Sequence, residues 1–281
     1  MSRHQDAGVR GFAASLSATE ASKAFAWAIA IKPEAVPSTP RQLRWLPHPE
    51  TRDLADELQS GEIALWMAMI SEHRAEADSN HTGLDLAQAS AVLDAAEIDR
   101  ALRLVHDTDR RSFAASHAGA RLLLGSALNQ KPDDLRFLSS TLGKPMLADT
   151  PGLQFSISHA REAVTVAIAR EPIGVDLEPL RELDHLGEIS ELVLAADERA
   201  VVARAPAALR SRLFLRYWTL KEALLKAAGF GFSIPPNTIL IDAGNIPAVV
   251  SAPAILEADT QWQFIAPALD PQLAEWINGA A

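Results

Sequence analysis

The chain contains no cysteine among its 281 residues, and this absence removes three kinds of chemistry at once. Disulfide bonds, thiolate metal sites and cysteine nucleophiles are all excluded. A chain without disulfides fits a reducing compartment, so we expect a cytoplasmic protein. Any metal site must therefore be built without thiolates.

Long apolar runs and a surplus of basic residues are missing as well. The longest apolar run, "AFAWAIAI" at residues 24–31, is too short to cross a bilayer, and we expect no membrane span. The formal net charge of −10 argues against a general nucleic-acid binder, whose surface is normally basic. An anionic ligand therefore needs a local basic patch, and "RALRLVHDTDRR" at residues 100–111 supplies four arginines.

The order of predicted elements indicates an α+β protein with two lobes. Residues 1–60 include a proline-rich, linker-like stretch, and this N-terminal extension has no assigned role. Residues 61–170 and 171–281 each read as a strand, then helices, then strands, which predicts an N-terminal and a C-terminal lobe of similar order. Within the extension, the alternating apolar side chains of residues 25–31 fit a strand that pairs with an exposed sheet edge, and a flexible arm is the alternative.

Two carboxylates stand two residues apart in "GVDLE", residues 174–178. Strand alternation puts Val175 and Leu177 on one face and Asp176 and Glu178 on the other. Adjacent anions repel each other unless a cation lies between them, and oxygen ligands favour Mg²⁺ or Mn²⁺ over zinc. By itself the pentapeptide fits either the solvated acidic face of an edge strand or a metal site.

A third carboxylate lies on the predicted helix that contains "YWTLKEALLKAAGFG", residues 217–231. At 100° per residue, Leu213 and Leu224 fall on one apolar stripe, whereas Glu222 and Lys226 fall on the opposite side. Gly229 occupies the place of a left-handed helix cap. The Glu–Lys pair either serves a site or is an ordinary exposed ion pair of the i,i+4 kind.

A serine and a histidine end the predicted strand "FSISHA", residues 155–160. The hydroxyl of Ser158 and the imidazole of His159 could both bind phosphate oxygens. A nucleophilic hydrolase is disfavoured because neither serine of this strand lies in a G-x-S-x-G elbow. A histidine that caps a turn is the structural alternative.

These three motifs, in this order, resemble those of the 4'-phosphopantetheinyl transferases of the larger, surfactin-synthetase-associated type. The resemblance covers roughly residues 61–240 and includes "LGKPML" before the Ser–His motif and "GFGFSI" after the helix. It implies two similar α/β lobes in a pseudo-twofold arrangement, with the metal site in the C-terminal lobe. The implied reaction is the Mg²⁺-dependent transfer of the 4'-phosphopantetheine arm of coenzyme A to a serine of an apo acyl or peptidyl carrier protein, with release of adenosine 3',5'-bisphosphate.

The resemblance also implies roles for the matching acidic and basic side chains. Asp176, Glu178 and Glu222 would ligate Mg²⁺, or Mn²⁺, together with the coenzyme A pyrophosphate. Lys226 would contact that pyrophosphate, so Glu222 and Lys226 are predicted catalytic residues. Glu198 would be the base, or would position the water that acts as the base.

Further matching residues would bind the remainder of coenzyme A. Ser158 and His159 would hold phosphates, and Lys144 would lie near the adenosine end. Arg100 and Arg103 match positions where basic side chains face the 3'-phosphate. No nucleic acid and no membrane are expected as partners.

The sequence departs from the family pattern in the same region. A basic residue that is common in the family appears here as Glu97, and a usual arginine appears as Ser112. Arg110 or Arg111 could substitute, although a shift of one residue turns a helical side chain by about 100°. These departures motivate an alternative, a non-catalytic protein of the same fold that binds coenzyme A or docks a carrier protein. A metal-dependent phosphohydrolase is a third hypothesis.

Overall fold

The computed structural model describes residues 14–15, 19, 23–32, 42–46, 54, 58, 62–70, 91–150, 152–160, 163–256 and 262–267. Within these residues the strands are β1 Ala14–Ser15, β2 Phe25–Ile31, β3 Gln42–Trp45, β4 Glu62–Met69, β5 Phe137–Ser139, β6 Pro145–Leu147, β7 Gln154–His159, β8 Ala163–Ala169, β9 Ile173–Pro179, β10 Leu240–Asp242, β11 Ala248–Ser251 and β12 Gln263–Ile265. The α-helices are α1 Ala95–Leu102, α2 Asp107–Ala127, α3 Leu186–Val193, α4 Ala196–Arg204 and α5 Ala207–Ala228. This mixture of helices and sheets agrees with the predicted α+β class.

Two sheets form the centre of the molecule. In the five-stranded sheet the order is β1-β4-β8-β7, and β3 pairs in parallel with β4. In the three-stranded sheet the order is β12-β2-β9, and both pairings are antiparallel. Two further antiparallel ribbons, β5-β6 and β10-β11, lie outside these sheets.

Each central sheet packs against one long helix. The small side chains of α2, such as Ala114 and Ala118, join Trp66 and Phe155 of the five-stranded sheet in one buried cluster. Helix α5 forms a second cluster together with the small side chains of β2. Small residues let a helix backbone approach a sheet closely, which places α5 directly against β2 and β9.

The two sheets also pack against each other. The large side chains of β2, including Trp27 and Ile29, share a buried cluster with Leu65 of β4 and Val175 of β9. The alternation predicted for residues 25–31 is thereby confirmed, because the large side chains face the other sheet and the alanines face α5. The strand is not added at an outer edge, since β2 lies between β12 and β9.

Residues 25–31 thus pair over seven residues with a strand of the predicted C-terminal lobe, although they precede the predicted N-terminal lobe in sequence. The division of the chain at residues 60 and 170 stays a prediction, and most of residues 1–60 lie outside the described residues. No helix within the described ranges is both long and apolar enough to cross a membrane.

Helix α5 ends as its sequence predicts. Gly229 has φ of 77°, and its N–H donates to the carbonyl oxygens of Leu225 and Lys226. Only glycine adopts this left-handed conformation without steric cost, so the cap stops the helix one turn after Lys226. The start of the same helix is set by Pro206, which cannot continue a helix towards its N-terminus.

Candidate active site

Asp176 lies at the centre of a buried polar cluster between β7, β9 and α5. Lys226 Nζ donates to Asp176 Oδ1 at 2.7 Å, to Ser158 Oγ at 3.0 Å and to the carbonyl oxygen of Val175 at 3.2 Å. Ser158 Oγ also donates to Asp176 Oδ1 at 2.9 Å. The structure therefore brings together three side chains that the sequence places far apart, one from each motif.

The second oxygen of Asp176 lacks a hydrogen-bond partner in the part of the chain that the structure describes. Oδ2 is buried, and no donor among the described residues reaches it. A buried carboxylate oxygen without a donor costs free energy, and such groups are rare in native proteins. This oxygen therefore marks a place where a ligand is expected to bind.

Glu178 and Glu222 lie in the electric field of Asp176. Burial raises the pKa of Glu178, and the charge of Asp176 raises it further, although Trp218 Nε1 donates to Glu178 Oε1 at 3.1 Å. Burial and the charge of Asp176 together raise the pKa of Glu222 to about 7, although Lys226 opposes this rise. One ammonium group thus fails to balance three carboxylates.

The strand alternation predicted for "GVDLE" is confirmed by these contacts. Val175 and Leu177 pack between the two sheets, whereas Asp176 and Glu178 contact side chains of α5. Within the described part of the chain, no three His, Asp or Glu side chains form a ready-made metal site. The carboxylates of Asp176 and Glu178 lie on the same face of β9 and repel each other, but they do not form a closed set of metal ligands.

A cavity of about 500 Å³ opens beside this cluster. Its wall includes four of the residues predicted from the sequence, namely Arg100, Lys144, His159 and Lys226. Aromatic side chains form another part of the wall, with Phe113, Phe137 and Phe155 among them. The cavity thus joins the α1–α2 region to the polar end of α5, and it combines cationic with aromatic surfaces.

His159 faces this cavity at the end of β7. Burial and, to a smaller extent, the positive charge of Lys226 together lower the pKa of His159 from 6.5 to about 4. The imidazole is therefore neutral at pH 7. A neutral imidazole can donate one N–H to a phosphate oxygen, but it adds no positive charge.

Lys144 belongs to the cavity wall but is already engaged with the backbone. Its Nζ donates to the carbonyl oxygens of Ile173 at 3.1 Å and Ala227 at 3.0 Å. Burial lowers the pKa of Lys144 from 10.5 to about 8. The ammonium thus ties the loop before β6 to β9 and to the end of α5, and a ligand contact would require it to exchange one of these partners.

The three predicted arginines differ in their surroundings. Arg100 lies over the ring of Phe113, with 5.6 Å between the guanidinium carbon and the ring centroid. Arg103 pairs with Asp99 on the exposed face of α1, and Arg111 pairs with Asp107 at the start of α2. Neither Arg103 nor Arg111 belongs to the cavity wall that the described residues form.

Glu198 is not brought to this cavity. Its side chain is 1% exposed, and its Oε2 accepts from Lys221 Nζ at 2.5 Å. The backbone N–H groups of Ala195 and Ile241 also donate to this carboxylate. These contacts hold α4, α5 and β10 together, so the predicted role as base stays a prediction that would require Glu198 to give up Lys221.

Two buried cations were not found from the sequence. Lys221 is completely buried and donates to Glu198 as well as to three backbone carbonyl oxygens. Arg121 is also completely buried and pairs with Asp94 and Glu97 at 2.7 Å each. A sequence signal existed for the second cluster, because Asp94 and Glu97 have the spacing of a capping box, and the structure shows that box at the start of α1.

Ser112 and Glu97, the two departures from the family pattern, are both fixed by local contacts. Ser112 Oγ donates to the carbonyl oxygens of Thr108 and Ala160. Glu97 accepts from Arg121 Nε at 2.7 Å and lies 3.2 Å from His117 Nδ1. Both side chains are therefore held in place by hydrogen bonds within the protein.

Comparison with known proteins agrees with the motifs. The 4'-phosphopantetheinyl transferase superfamily matches residues 172–272. The 4'-phosphopantetheinyl transferase HetI of Nostoc sp. (strain PCC 7120 / SAG 25.82 / UTEX 2576) is 29% identical over 228 residues, which cover 80% of this chain and 88% of HetI. The 4'-phosphopantetheinyl transferase Sfp of Bacillus subtilis (strain 168) is 26% identical over 143 residues, which cover 51% of this chain and 63% of Sfp.

A third relative, the 4'-phosphopantetheinyl transferase gsp of Aneurinibacillus migulanus, is 31% identical over 130 residues, which cover 46% of this chain and 53% of gsp. The matched segments include β9 and α5, which carry the clustered carboxylates and Lys226. The chain is therefore similar to 4'-phosphopantetheinyl transferases over most of its length, and residues 172–272 match the model of that superfamily.

Proposed function

We propose that this protein transfers the 4'-phosphopantetheine arm of coenzyme A to a serine of an apo acyl or peptidyl carrier protein. The names of HetI and Sfp support this activity. The observation that carries it is the buried Asp176 oxygen without a donor, beside Lys226 and the cavity. A cytoplasmic location is part of the same proposal.

Asp176, Glu178 and Glu222 would hold Mg²⁺, or Mn²⁺, beside Lys226. Lys226 belongs to the cavity wall, whereas none of the three carboxylates does in the described part of the chain. The unpartnered Asp176 oxygen and the raised pKa values of Glu178 and Glu222 fit a missing positive charge at this point. Magnesium commonly uses one or two carboxylates plus waters and phosphate oxygens, so a closed protein cage is not required. When bound, the ion supplies charge neutralisation as the phosphoanhydride bond breaks.

The chain's own side chains position the pyrophosphate of coenzyme A in this proposal. Lys226 is fixed by three acceptors before a ligand arrives, and we expect a phosphate oxygen to replace the most distant, the carbonyl oxygen of Val175 at 3.2 Å. His159 donates one N–H as a neutral ring. Preorganised donors of this kind need little rearrangement as charge develops.

The proposed reaction is an in-line displacement at the phosphorus that bears the pantetheine arm. The carrier's serine oxygen forms a bond to this phosphorus and loses its proton. The bond from phosphorus to the bridging oxygen breaks, and the electron pair leaves with adenosine 3',5'-bisphosphate. Glu198 remains the base predicted by resemblance, whereas its buried ion pair with Lys221 favours a structural role.

The arrangement of the fold in two lobes is part of this proposal as well. Two similar lobes in a pseudo-twofold arrangement, as in the surfactin-synthetase-associated type, are supported by one resemblance between the halves. Each central sheet is covered by one long helix, α2 of 21 residues or α5 of 22 residues. The cavity wall takes residues from both regions.

The activity can be tested by the intact mass of apo carrier proteins after incubation with the protein, coenzyme A and Mg²⁺. We expect a phosphopantetheine-sized mass gain. We expect Asp176→Asn and Glu222→Gln each to slow it by about a hundredfold or more, since both carboxylates would hold the metal that neutralises the reacting phosphate. Glu188→Gln, which removes an equal charge from a glutamate that is 82% exposed, is the matched control.

Two results would contradict the proposal. If Asp176→Asn and Glu222→Gln kept the rate of Glu188→Gln, the cluster would not be the active site. If no carrier gained mass although coenzyme A bound, the non-catalytic binding protein would be the better description. This second candidate is favoured by the acidic Glu97 in the cavity wall, at a position where a basic side chain would bind phosphate better.

A further inference from the structure

The two central sheets meet along β7 and β9, the last strands of their respective sheets. These strands contact each other although they belong to different sheets. Serine side chains of β7 bridge the gap between them. The N–H of Val175 donates to Ser156 Oγ at 3.0 Å, and Ser158 Oγ donates to Asp176 Oδ1 at 2.9 Å. The second of these bridges therefore joins the five-stranded sheet directly to the carboxylate at the centre of the candidate site.

The hydroxyl of Ser158 already contacts both members of the Asp176–Lys226 ion pair. Its single proton is donated to Asp176 Oδ1, and its oxygen accepts from Lys226 Nζ at 3.0 Å. Lys226 Nζ also donates to Asp176 Oδ1, so the three side chains form a closed triangle of hydrogen bonds. Ser158 is 5% exposed. The triangle is therefore buried on its serine side.

The resemblance implies a different role for Ser158, in which its hydroxyl holds a phosphate. Ionised phosphate oxygens only accept hydrogen bonds, so the hydroxyl would have to release Asp176 before it could donate to one. Ile157 and His159 belong to the cavity wall that the described residues form, but Ser158 between them does not. The contacts of Ser158 thus favour a role towards Asp176.

This triangle determines which oxygen of Asp176 is left for a ligand. Both donors contact Oδ1, and Oδ2 has none in the described part of the chain. The last torsion of an aspartate side chain is soft, so a carboxylate exchanges its two oxygens unless a fixed donor holds one. Lys226 has a flexible stem and could follow either oxygen. Ser158 has a short side chain on a strand, and it therefore supplies the fixed donor.

We infer that Ser158 is a positioning residue, whose hydroxyl orients the carboxylate of Asp176 so that Oδ2 faces a bound divalent cation. The inference rests on the proposed function, and it assigns Ser158 to the metal side of the site rather than to the phosphate of coenzyme A. Side chains that orient a metal ligand in this way typically change metal affinity by roughly 10- to 100-fold when they are removed.

The test compares Ser158→Ala with Ser116→Ala. Ser116 is also buried, but its Oγ donates to the carbonyl oxygen of Phe113 in its own helix, so the control removes an equal hydroxyl away from Asp176. Binding of Mn²⁺ to the full-length protein, with coenzyme A at saturation, is measured from the electron paramagnetic resonance signal of the free ion. Ser158→Ala should raise the Mn²⁺ dissociation constant by about tenfold or more. Ser116→Ala should leave it unchanged.

Steady-state kinetics separate positioning from phosphate binding. At saturating Mn²⁺, Ser158→Ala should lower kcat and keep KM for coenzyme A within about twofold of wild type, because the ion acts on the breaking bond. A lost phosphate contact would instead raise KM and leave Mn²⁺ affinity unchanged. Ser158→Thr keeps a hydroxyl on the same carbon and should hold the Mn²⁺ dissociation constant within about threefold of wild type.

The outcomes distinguish this inference from the proposed function. If Ser158→Ala binds Mn²⁺ as tightly as Ser116→Ala, or if Ser158→Thr loses as much affinity as Ser158→Ala, the inference is wrong and the transferase proposal stands. If Ser158→Ala does not fold, Ser158→Cys takes its place, since a thiol of similar volume is a weak donor and should show the same loss. If wild-type protein modifies no carrier but loses Mn²⁺ affinity on Ser158→Ala, the proposed function fails and the inference stands. If wild-type protein binds no Mn²⁺, the inference fails together with the proposed metal site.

Discussion

Single side chains at the candidate site carry charges that their surroundings leave unbalanced. Asp176 shares one oxygen with Lys226 and Ser158, and its other oxygen has no donor in the described part of the chain. Glu222 responds with a pKa raised to about 7. The three carboxylates therefore suit a bound cation, and Lys226 suits an anionic ligand beside that cation.

His159 gives a prediction about acid stability. Its pKa is lowered from 6.5 to about 4, so between these pH values the unfolded chain binds a proton that the folded chain does not. The free energy of unfolding should therefore fall as the pH drops from about 6.5 towards 4. His159→Asn should lose less stability than wild type between pH 7 and pH 5, measured as the midpoint of urea unfolding.

The control for this prediction is His185→Asn. His185 is 75% exposed and has φ of 54°, a conformation that asparagine tolerates. It should show the full wild-type loss of stability on acidification. An equal loss in all three proteins would show that His159 does not titrate in the way its surroundings indicate.

The sequence indicated the shared strand face of the two carboxylates, but it did not indicate the buried cations. Asp176 and Glu178 were placed on one strand face because alternation is a local property of the chain. Lys221 and Arg121 were missed because burial depends on distant partners, such as the carbonyl oxygens of Pro236 and Leu135. Helical periodicity alone does not tell a buried lysine from an exposed one.

At the scale of elements, the site depends on how closely α5 approaches β9. A Cβ atom on Gly174 would collide with the carbonyl oxygen of Ala223 and the nitrogen of Ala227. Glycine at this position therefore allows the contact that places Lys226 beside Asp176. The sequence showed the glycine, but the need for it comes from a helix about fifty residues later in the chain.

Gly174→Ala should consequently destabilise the protein by about 1–3 kcal/mol, since overpacking at a helix–strand contact forces the backbones apart. The measurement is the free energy of unfolding in urea. Gly187→Ala is the matched change in α3, where no heavy atom lies within 4 Å of the added Cβ. It should be neutral or stabilising by up to about 1 kcal/mol, and an equal effect of the two substitutions would contradict the packing argument.

At the scale of the whole molecule, strand β2 contacts both of the lobes that the sequence predicts. It precedes the predicted N-terminal lobe, yet it pairs with β9 and β12 and packs against the five-stranded sheet. The alternation of its side chains was visible in the sequence. Its partners were not, because strand pairing between distant segments depends on the folded chain as a whole.

Ile29→Ala tests this role of β2. Ile29 is completely buried between the sheets, so the substitution should lower the free energy of unfolding by about 2–5 kcal/mol. Leu102→Ala on α1, where the leucine is 69% exposed, should change it by less than about 0.5 kcal/mol. If Ile29→Ala were as mild as its control, residues 25–31 would be a dispensable arm.

The most direct test of the proposed transfer is the amount of adenosine 3',5'-bisphosphate released for each holo carrier protein formed. Both products can be quantified in one reaction, the nucleotide by chromatography and the carrier by intact mass. We expect equal amounts, because each phosphoanhydride bond that breaks supplies one new bond to serine. Release of nucleotide without modified carrier would show a phosphohydrolase instead and would contradict the transfer.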